Sequence, residues 1–297
     1  MKYYQNMGIL IICISILAFS TQASNKVASL DSARHPMNPG TVVLSSGILP
    51  GAGQFLNRKY LKAGTFLALE AITVSTAVGW DRNARARLQV YHDAYRSALS
   101  DTGSGRLHKM ETVHTRKFQT LEAEFKRYNA MSWAGGAYLY NLFDAFQLTG
   151  LLQDNGTRNP SLAFGLAAIP GLGLGQIYNG AYSKAGLFMM TQVSFGVVAY
   201  NNHRLMRIAE SNYKRISDTT ITLPSIKSST SSDWEGKRNT AMKNRNTFLW
   251  YSIFNYVIGM LDAVVDAHLH DYEAKMRIEP DLVPSESGPG LNLKLSF

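Results

Sequence analysis

A proline–glycine break inside an apolar run occurs twice in this chain, and it limits the fold more than any other feature. The first copy is Ile48-Leu-Pro-Gly-Ala-Gly-Gln54, followed by Asn57, Tyr60 and Lys62-Ala-Gly64. The second is Ile169-Pro-Gly-Leu-Gly-Leu-Gly-Gln176, followed by Asn179, Tyr182 and Lys184-Ala-Gly186. From the glutamine onward the spacing is identical, and the second copy carries two extra residues before its glutamine. Proline removes a backbone donor and glycine permits positive φ. Pro50, Gly51, Gly53, Gln54 and Asn57, and then Pro170, Gly171, Gly175, Gln176 and Asn179, therefore predict a broken helix in each copy. In a bilayer the carbonyls freed by such a break must find partners in the protein. A glutamine, with both donor and acceptor groups, can supply them. Each copy opens a module of apolar helices, so the chain reads as a tandem duplication.

Charged residues make up 17% of the 297 positions, against about 25% in a typical soluble domain. The mean hydropathy of -0.11 is nevertheless low for a membrane protein. The two values agree if apolar spans alternate with long polar segments. The formal charge is +9. The basic residues flank apolar segments instead of forming one stripe, which fits membrane topology and argues against nucleic acid. The sole cysteine, Cys13, falls in an apparent signal peptide. Disulfides, thiol catalysis and cysteine-ligated metals are thereby excluded from the mature chain.

Residues 1–23 have the build of a secretory signal, with Lys2, an apolar run from Met7 to Phe19 and a small-residue site ending at Ala23. A polar leader follows over 24–40. The first membrane module is expected over 41–152: a short helix, the break, a span at Ala63–Trp80 and a span at Met131–Leu152. Between the spans, 81–130 predicts a polar helical hairpin. Leu88, Tyr91 and Tyr95, and again Phe118, Leu121, Phe125 and Tyr128, follow helical spacing on either side of Gly103-Ser-Gly105. A connector over 153–160 leads to the second module, 161–272, with spans at Ala185–Tyr200 and Thr247–Leu269. Its polar segment, 201–246, is rich in Ser and Thr between Ser217 and Ser232 and reads as a loop. The tail, 273–297, ends in the alternating Leu291-Asn-Leu-Lys-Leu-Ser-Phe297, which predicts a short strand.

Both polar segments are basic and are separated by an even number of crossings, which places them together on the cytoplasmic side. Arg58, Lys59 and Lys62 then fall outside, against the trend. If 41–57 crosses fully instead of re-entering, the span count rises and this topology is lost.

The first copy resembles the signature of an uncharacterised bacterial membrane family, a domain of unknown function. That signature is an S-x-x-x-P-G-x-G-Q-x-Y-N box followed by a Trp-led helix ending in D-A-x-x-x-A-H-L. Ser46, Pro50, Gly51, Gly53, Gln54 and Asn57 match the box, with Leu56 in place of its tyrosine. Gln176, Tyr178 and Asn179 match in the second copy, and Asp262, Ala263, Ala267, His268 and Leu269 match the distal motif. Asn129, Trp133 and Asp144 align with Asn246, Trp250 and Asp262 after a one-residue gap. The resemblance implies a helical membrane module and no activity.

The candidate chemistry is sparse. Gly171-Leu-Gly-Leu-Gly175 lacks a preceding strand and a following Gly-Lys-Ser/Thr, so it does not make a phosphate cradle. Glu70, Asp144 and Asp262 fall in or near spans, where acids are costly and are candidates for an ion path. The plainer reading pairs them with Lys62, Lys184 or backbone donors. Asp266 and His270 share a helix face and are the weak metal candidates, with no second ligand pair beside them. The aromatic stripes of the hairpin could meet a partner, close the hairpin on itself or lie on headgroups.

The sequence thus predicts an all-helical membrane protein of two tandem two-span modules with broken, re-entrant helices, related by a two-fold axis along the membrane normal. It is expected to be non-catalytic and cofactor-free. Its partners are expected to be the lipid bilayer and a protein bound through 82–128, with oligomerisation left open. The alternative is a small transporter or channel lined by Asp144, Asp262 and Glu70. A bacterial inner membrane is expected. The outer membrane is the alternative, because the Phe297 ending resembles that of a barrel chain, though barrels need at least eight strands.

Overall fold

The computed structural model describes residues 38–103, 105–150, 157–218, 224–275, 278–285 and 288–295. The signal peptide, most of the leader, part of the 153–160 connector and Phe297 lie outside the described residues. In chain order the helices are α1 (Pro39–Ile48), α2 (Ala52–Leu56), α3 (Tyr60–Leu99) and α4 (Arg106–Leu148) in the first module. The second module has α5 (Pro160–Ala167), α6 (Leu174–Tyr178), α7 (Tyr182–Ser217) and α8 (Pro224–Lys275). Two short strands, β1 (Ile278–Ser285) and β2 (Gly288–Leu295), pair antiparallel at the end.

Both modules start in the same way. Asn38 precedes Pro39, and Asn159 precedes Pro160. Each asparagine caps its helix: Asn38 Oδ1 accepts from the Gly40 amide and Asn159 Oδ1 from the amides of Ser161 and Leu162. Proline at the first helical position loses no hydrogen bond, because that amide has no partner in any helix. Helix α1 therefore begins inside the segment expected to be leader. Pro50 then ends it, and Gly51 turns left-handed at φ 87° to start α2.

Beyond the break, the segments expected as spans and the hairpin expected over 81–130 run together as continuous helices. Helix α3 runs 40 residues without interruption. That is about 60 Å of rod, twice the roughly 30 Å of a bilayer core. Nothing between Trp80 and Asp81 breaks the helix, so span and arm are continuous, and α4 runs on likewise through Tyr128 and Met131. The Ser/Thr-rich loop expected within 201–246 is a second helical hairpin: α7 reaches Ser217 and α8 starts at Pro224. Ser and Thr are weak helix formers, but their propensity is overridden by packing. Trp234 is fully buried against Phe118, with ring centroids 5.3 Å apart and edge to face. Phe125, Leu205, Ala209, Ile216 and Ala241 complete that cluster. Phe118 and Phe125 of the aromatic stripe on α4 therefore pack onto the second module's arm.

The long helices pack in the order α3, α4, α7, α8. One core runs through all four, with Phe66 and Leu69, Trp133 and Tyr140, Met190 and Phe195, and Phe248. A two-fold axis would turn the α4–α7 contact into an equal α8–α3 contact. No comparable contact joins α3 to α8. The expected two-fold axis is therefore absent: the modules follow each other head to tail, with α3 and α8 at opposite edges.

Helices α3 and α8 are long and apolar enough to cross a membrane; of their apolar stretches, 22% and 17% are buried. The other two expected spans, on α4 and α7, do not reach that apolarity. They lie inside the array and carry buried Asn141, Asp144, Thr191 and Ser194.

Candidate functional site

Each break docks its glutamine into the second long helix of its own module. In the first copy Gln54 is fully buried. Its Nε2 donates to the Asn141 carbonyl and to Asp144 Oδ2, both at 3.2 Å, while its Oε1 accepts from the Ser46 hydroxyl at 3.1 Å. The Ser46 hydroxyl in turn accepts from the Gly53 amide, and Asn141 Oδ1 accepts from the Gly51 amide at 2.9 Å. Asn57 Nδ2 donates to the Gly53 carbonyl. Asp144, 2% exposed, holds Lys62 Nζ at 3.0 Å and the Ser183 hydroxyl at 2.7 Å.

The second copy keeps the frame and changes the fittings. Gln176 Nε2 donates to the Gly259 carbonyl at 2.7 Å and faces Asp262 Oδ2 at 3.4 Å. Asn179 Nδ2 donates to the Ala263 carbonyl. Lys184 Nζ binds Asp262 at 2.9 Å and both oxygens of Asp266 at 2.7 Å. Gly259 stands where the first copy has Asn141, so the side-chain bond from Asn141 to the turn is gone. The two inserted residues put a second left-handed glycine into the turn, with Gly171 at φ 86° and Gly173 at φ 56°.

The glycines of both motifs allow close contact. A Cβ on Gly53 would strike the Val42 carbonyl and the Ser46 hydroxyl. One on Gly175 would lie 2.7 Å from the Ala163 carbonyl and 2.7 Å from the Ala167 methyl. Real side chains do not tolerate such approaches, and the short helix must seat this closely for its glutamine to reach the acid.

Asp144 and Asp262 thus each face a lysine of their own module, the plainer of the two arrangements the sequence allowed. Glu70 lies apart on α3, and its buried Oε2 accepts no hydrogen bond among the described residues. Gln192, its counterpart, is engaged by Ser252 and Asn255. Asp266 is committed to Lys184, and among the described residues no cluster of His, Cys, Asp and Glu could hold a metal. Beside the second break lies a void of about 30 Å³, bounded by Gly171, Gln176 and Gln192.

Sequence reasoning missed several members of these sites. Tyr138 and Tyr256 each donate from the hydroxyl to a carbonyl of the short helix's end, Gly47 at 2.7 Å and Ala168 at 2.8 Å. Their equal placement before Asp144 and Asp262 was the available signal. Ser183, which bridges the modules to Asp144, left no such trace, because Leu61 stands at its place in the first copy.

In the arms, a cleft of about 710 Å³ opens between α4, α7 and α8. Asn129 and Asn201 meet at its base, the Asn201 amide donating to Asn129 Oδ1 at 2.7 Å, and Glu122, Lys126, Asp233 and Lys237 rim it. Its size falls in the usual range for ligand pockets, and its lining mixes amides and charges with Phe118, Phe125 and Leu205 where such pockets are mostly apolar.

Fold and sites together define a duplicated helical module built on a glutamine–aspartate–lysine latch. The chain belongs to the Family of unknown function (DUF5683), which it matches twice, over residues 35–153 and 156–297. No curated protein and no solved structure matches it.

Proposed function

We propose that the chain is an integral membrane protein with a structural and interaction role, anchoring a four-helix polar arm at a membrane surface. The observation that carries this reading is the exposure of the apolar bands at the two edges. Ile72, Phe254, Ile258 and Leu261 are all at least half exposed, and contiguous apolar surface on this scale marks lipid or protein contact. The arms begin where these bands end, and their basic residues fit the cytoplasmic side of an inner membrane. The latches support a structural role: each acid is closed by a lysine and a glutamine of its own module. The arm cleft offers amides and charges of both signs to a hydrophilic protein partner.

Membrane washing tests the first part. The tagged chain stays with the membrane pellet through alkaline carbonate, and its release into the supernatant without detergent would refute the reading. Charge reversal of Lys126 and Lys237 tests the second, with loss of a co-purifying partner expected and integrity of the membrane fraction unchanged.

Glu70 favours one other reading, a small transporter or channel. Its buried Oε2 has no hydrogen-bond partner among the described residues, whereas Asp144 and Asp262 are each closed by a lysine. Ion flux in proteoliposomes that disappears in Glu70→Gln would establish that reading over the structural one.

A further inference from the structure

We infer that this chain self-associates head to tail, with α8 of one copy receiving α3 of the next through a repeat of the interface that joins α4 to α7 within the chain. The inference does not rest on the membrane reading. A heterologous contact leaves its two complementary halves unused at the ends of the array, and adding copies occupies them in rings or filaments. The internal contact shows what those halves look like. Gly186 of α7 lies under Tyr140 and Phe143 of α4, so close that a Cβ would come within 2.8 Å of the Phe143 Cβ. Gly136 of α4 receives Met190 of α7.

Tyr256 and Asp262 hold on α8 the places of Tyr138 and Asp144 on α4, and Lys184 holds on α7 the place of Lys62 on α3. Counting along the helices from these pairs, Gly64 stands for Gly186, and nothing lies within 4 Å of the side chain it lacks. Ile258 and Leu261 stand for Tyr140 and Phe143, 57% and 59% exposed. At the next level the sizes are exchanged. The internal pair is Gly136 with Met190, and the outer pair is Phe254, 58% exposed, with exposed Ala68. Large meets small in both. Where the internal contact is polar, with Ser183 on Gln147 and Asp144, the outer faces offer Leu61, 78% exposed, and Val265, 52% exposed. Two independently varied faces have thus kept complementary volumes at matching levels while losing the polar pair together.

The test uses full-length chains carrying Cys13→Ser, which removes the natural thiol. Ala68→Cys and Phe254→Cys are placed on separately tagged chains and co-expressed, and the cell fraction that holds the chain is treated with a mild oxidant. The expected result is a cross-linked species of twice the single-chain mass, containing both tags, that does not form when either variant is expressed alone. No cross-link, as lipid-covered faces would give, overturns the inference. So does a homotypic cross-link as strong as the mixed one, which would mark a two-fold dimer. Light scattering of detergent-solubilised protein gives a second readout. Ala68→Trp, on an exposed site that the chain's own fold does not use, is expected to weaken association at least tenfold, with helicity by circular dichroism unchanged. A wild-type chain that is monomeric at every concentration tested would refute the proposal.

Discussion

The two latches do the same mechanical task with different amounts of redundancy. In the first, Ser46, Asn141, Asp144 and the second module's Ser183 surround Gln54 and Lys62, and a single carboxylate carries the charge. In the second, Ala167 and Gly259 have replaced the serine and the asparagine, and Asp266 has been added to Lys184. The first latch is a closed network with one irreplaceable member. The second has fewer bonds and a duplicated anion. The comparison teaches that duplication preserves the geometry of a motif while its energetics drift. A lost neutral hydrogen bond costs about 1 kcal/mol, and a second carboxylate can offset it.

Substitutions at matched positions sharpen this contrast. The largest expected difference lies in the arms, where buried Trp234 corresponds to exposed Arg116. Trp234→Ala removes a core ring and the bond from its Nε1 to Glu111 at 2.9 Å, and it should cost about 3–5 kcal/mol in denaturant unfolding. Arg116→Ala should stay within about 0.5 kcal/mol. Next come the acids. Asp144→Ala leaves Lys62 without an anion, takes the acceptor of the Ser183 hydroxyl and leaves Gln54 Nε2 with the Asn141 carbonyl, at about 3 kcal/mol or more. Asp262→Ala, with Asp266 still on Lys184, should cost about 1 kcal/mol. Equal losses would show that the two latches are energetically alike after all.

Gly186→Ala must displace Phe143 and should cost about 1–3 kcal/mol in thermal unfolding. Gly64→Ala meets nothing within one chain and should match or slightly exceed wild-type stability in dilute monomer. The smallest effect is acid sensitivity. Burial, reinforced by the Arg215 guanidinium and opposed by Glu111, holds His114 below its ordinary pKa. A depressed folded-state pKa favours the neutral ring, so its contribution is fully present above about pH 6.5 and is lost as pH falls below that. The arms should therefore loosen on mild acidification, followed by Trp234 fluorescence and flattened in His114→Gln. Ser232, at the matching place in the second module, contributes no such titration.

Much of this was legible in the chain. The duplication, the helix breaks and the all-helical class follow from local chemistry, because proline, glycine and apolar periodicity act within a few residues. The pairing of Asp144 and Asp262 with the motif lysines was visible as an option, since the spacing repeats. The register of the second module was not. Trp250 aligns with Trp133 in sequence, yet Trp133 is buried in the core and Trp250 is 57% exposed against Phe254. The one-residue gap that aligned them is not a gap in α8, which is continuous, but a turn of about 100° around the helix. Tyr251, itself 45% exposed, takes the place beside Phe195 and Phe248.

The sequence by itself determined where each helix must break and that the same break is made twice, because those outcomes depend on backbone donors and allowed φ alone. Only the tertiary structure decided that the Ser/Thr-rich stretch is helix from Pro224 onward, that Ser183 joins one module to the acid of the other, and that the modules stack in line instead of around an axis. Those outcomes depend on which side chains meet across long stretches of chain, 39 residues for Ser183 with Asp144 and 72 for Asn201 with Asn129. Such meetings are set by volume and register at the contact, which leave no periodic mark in either partner.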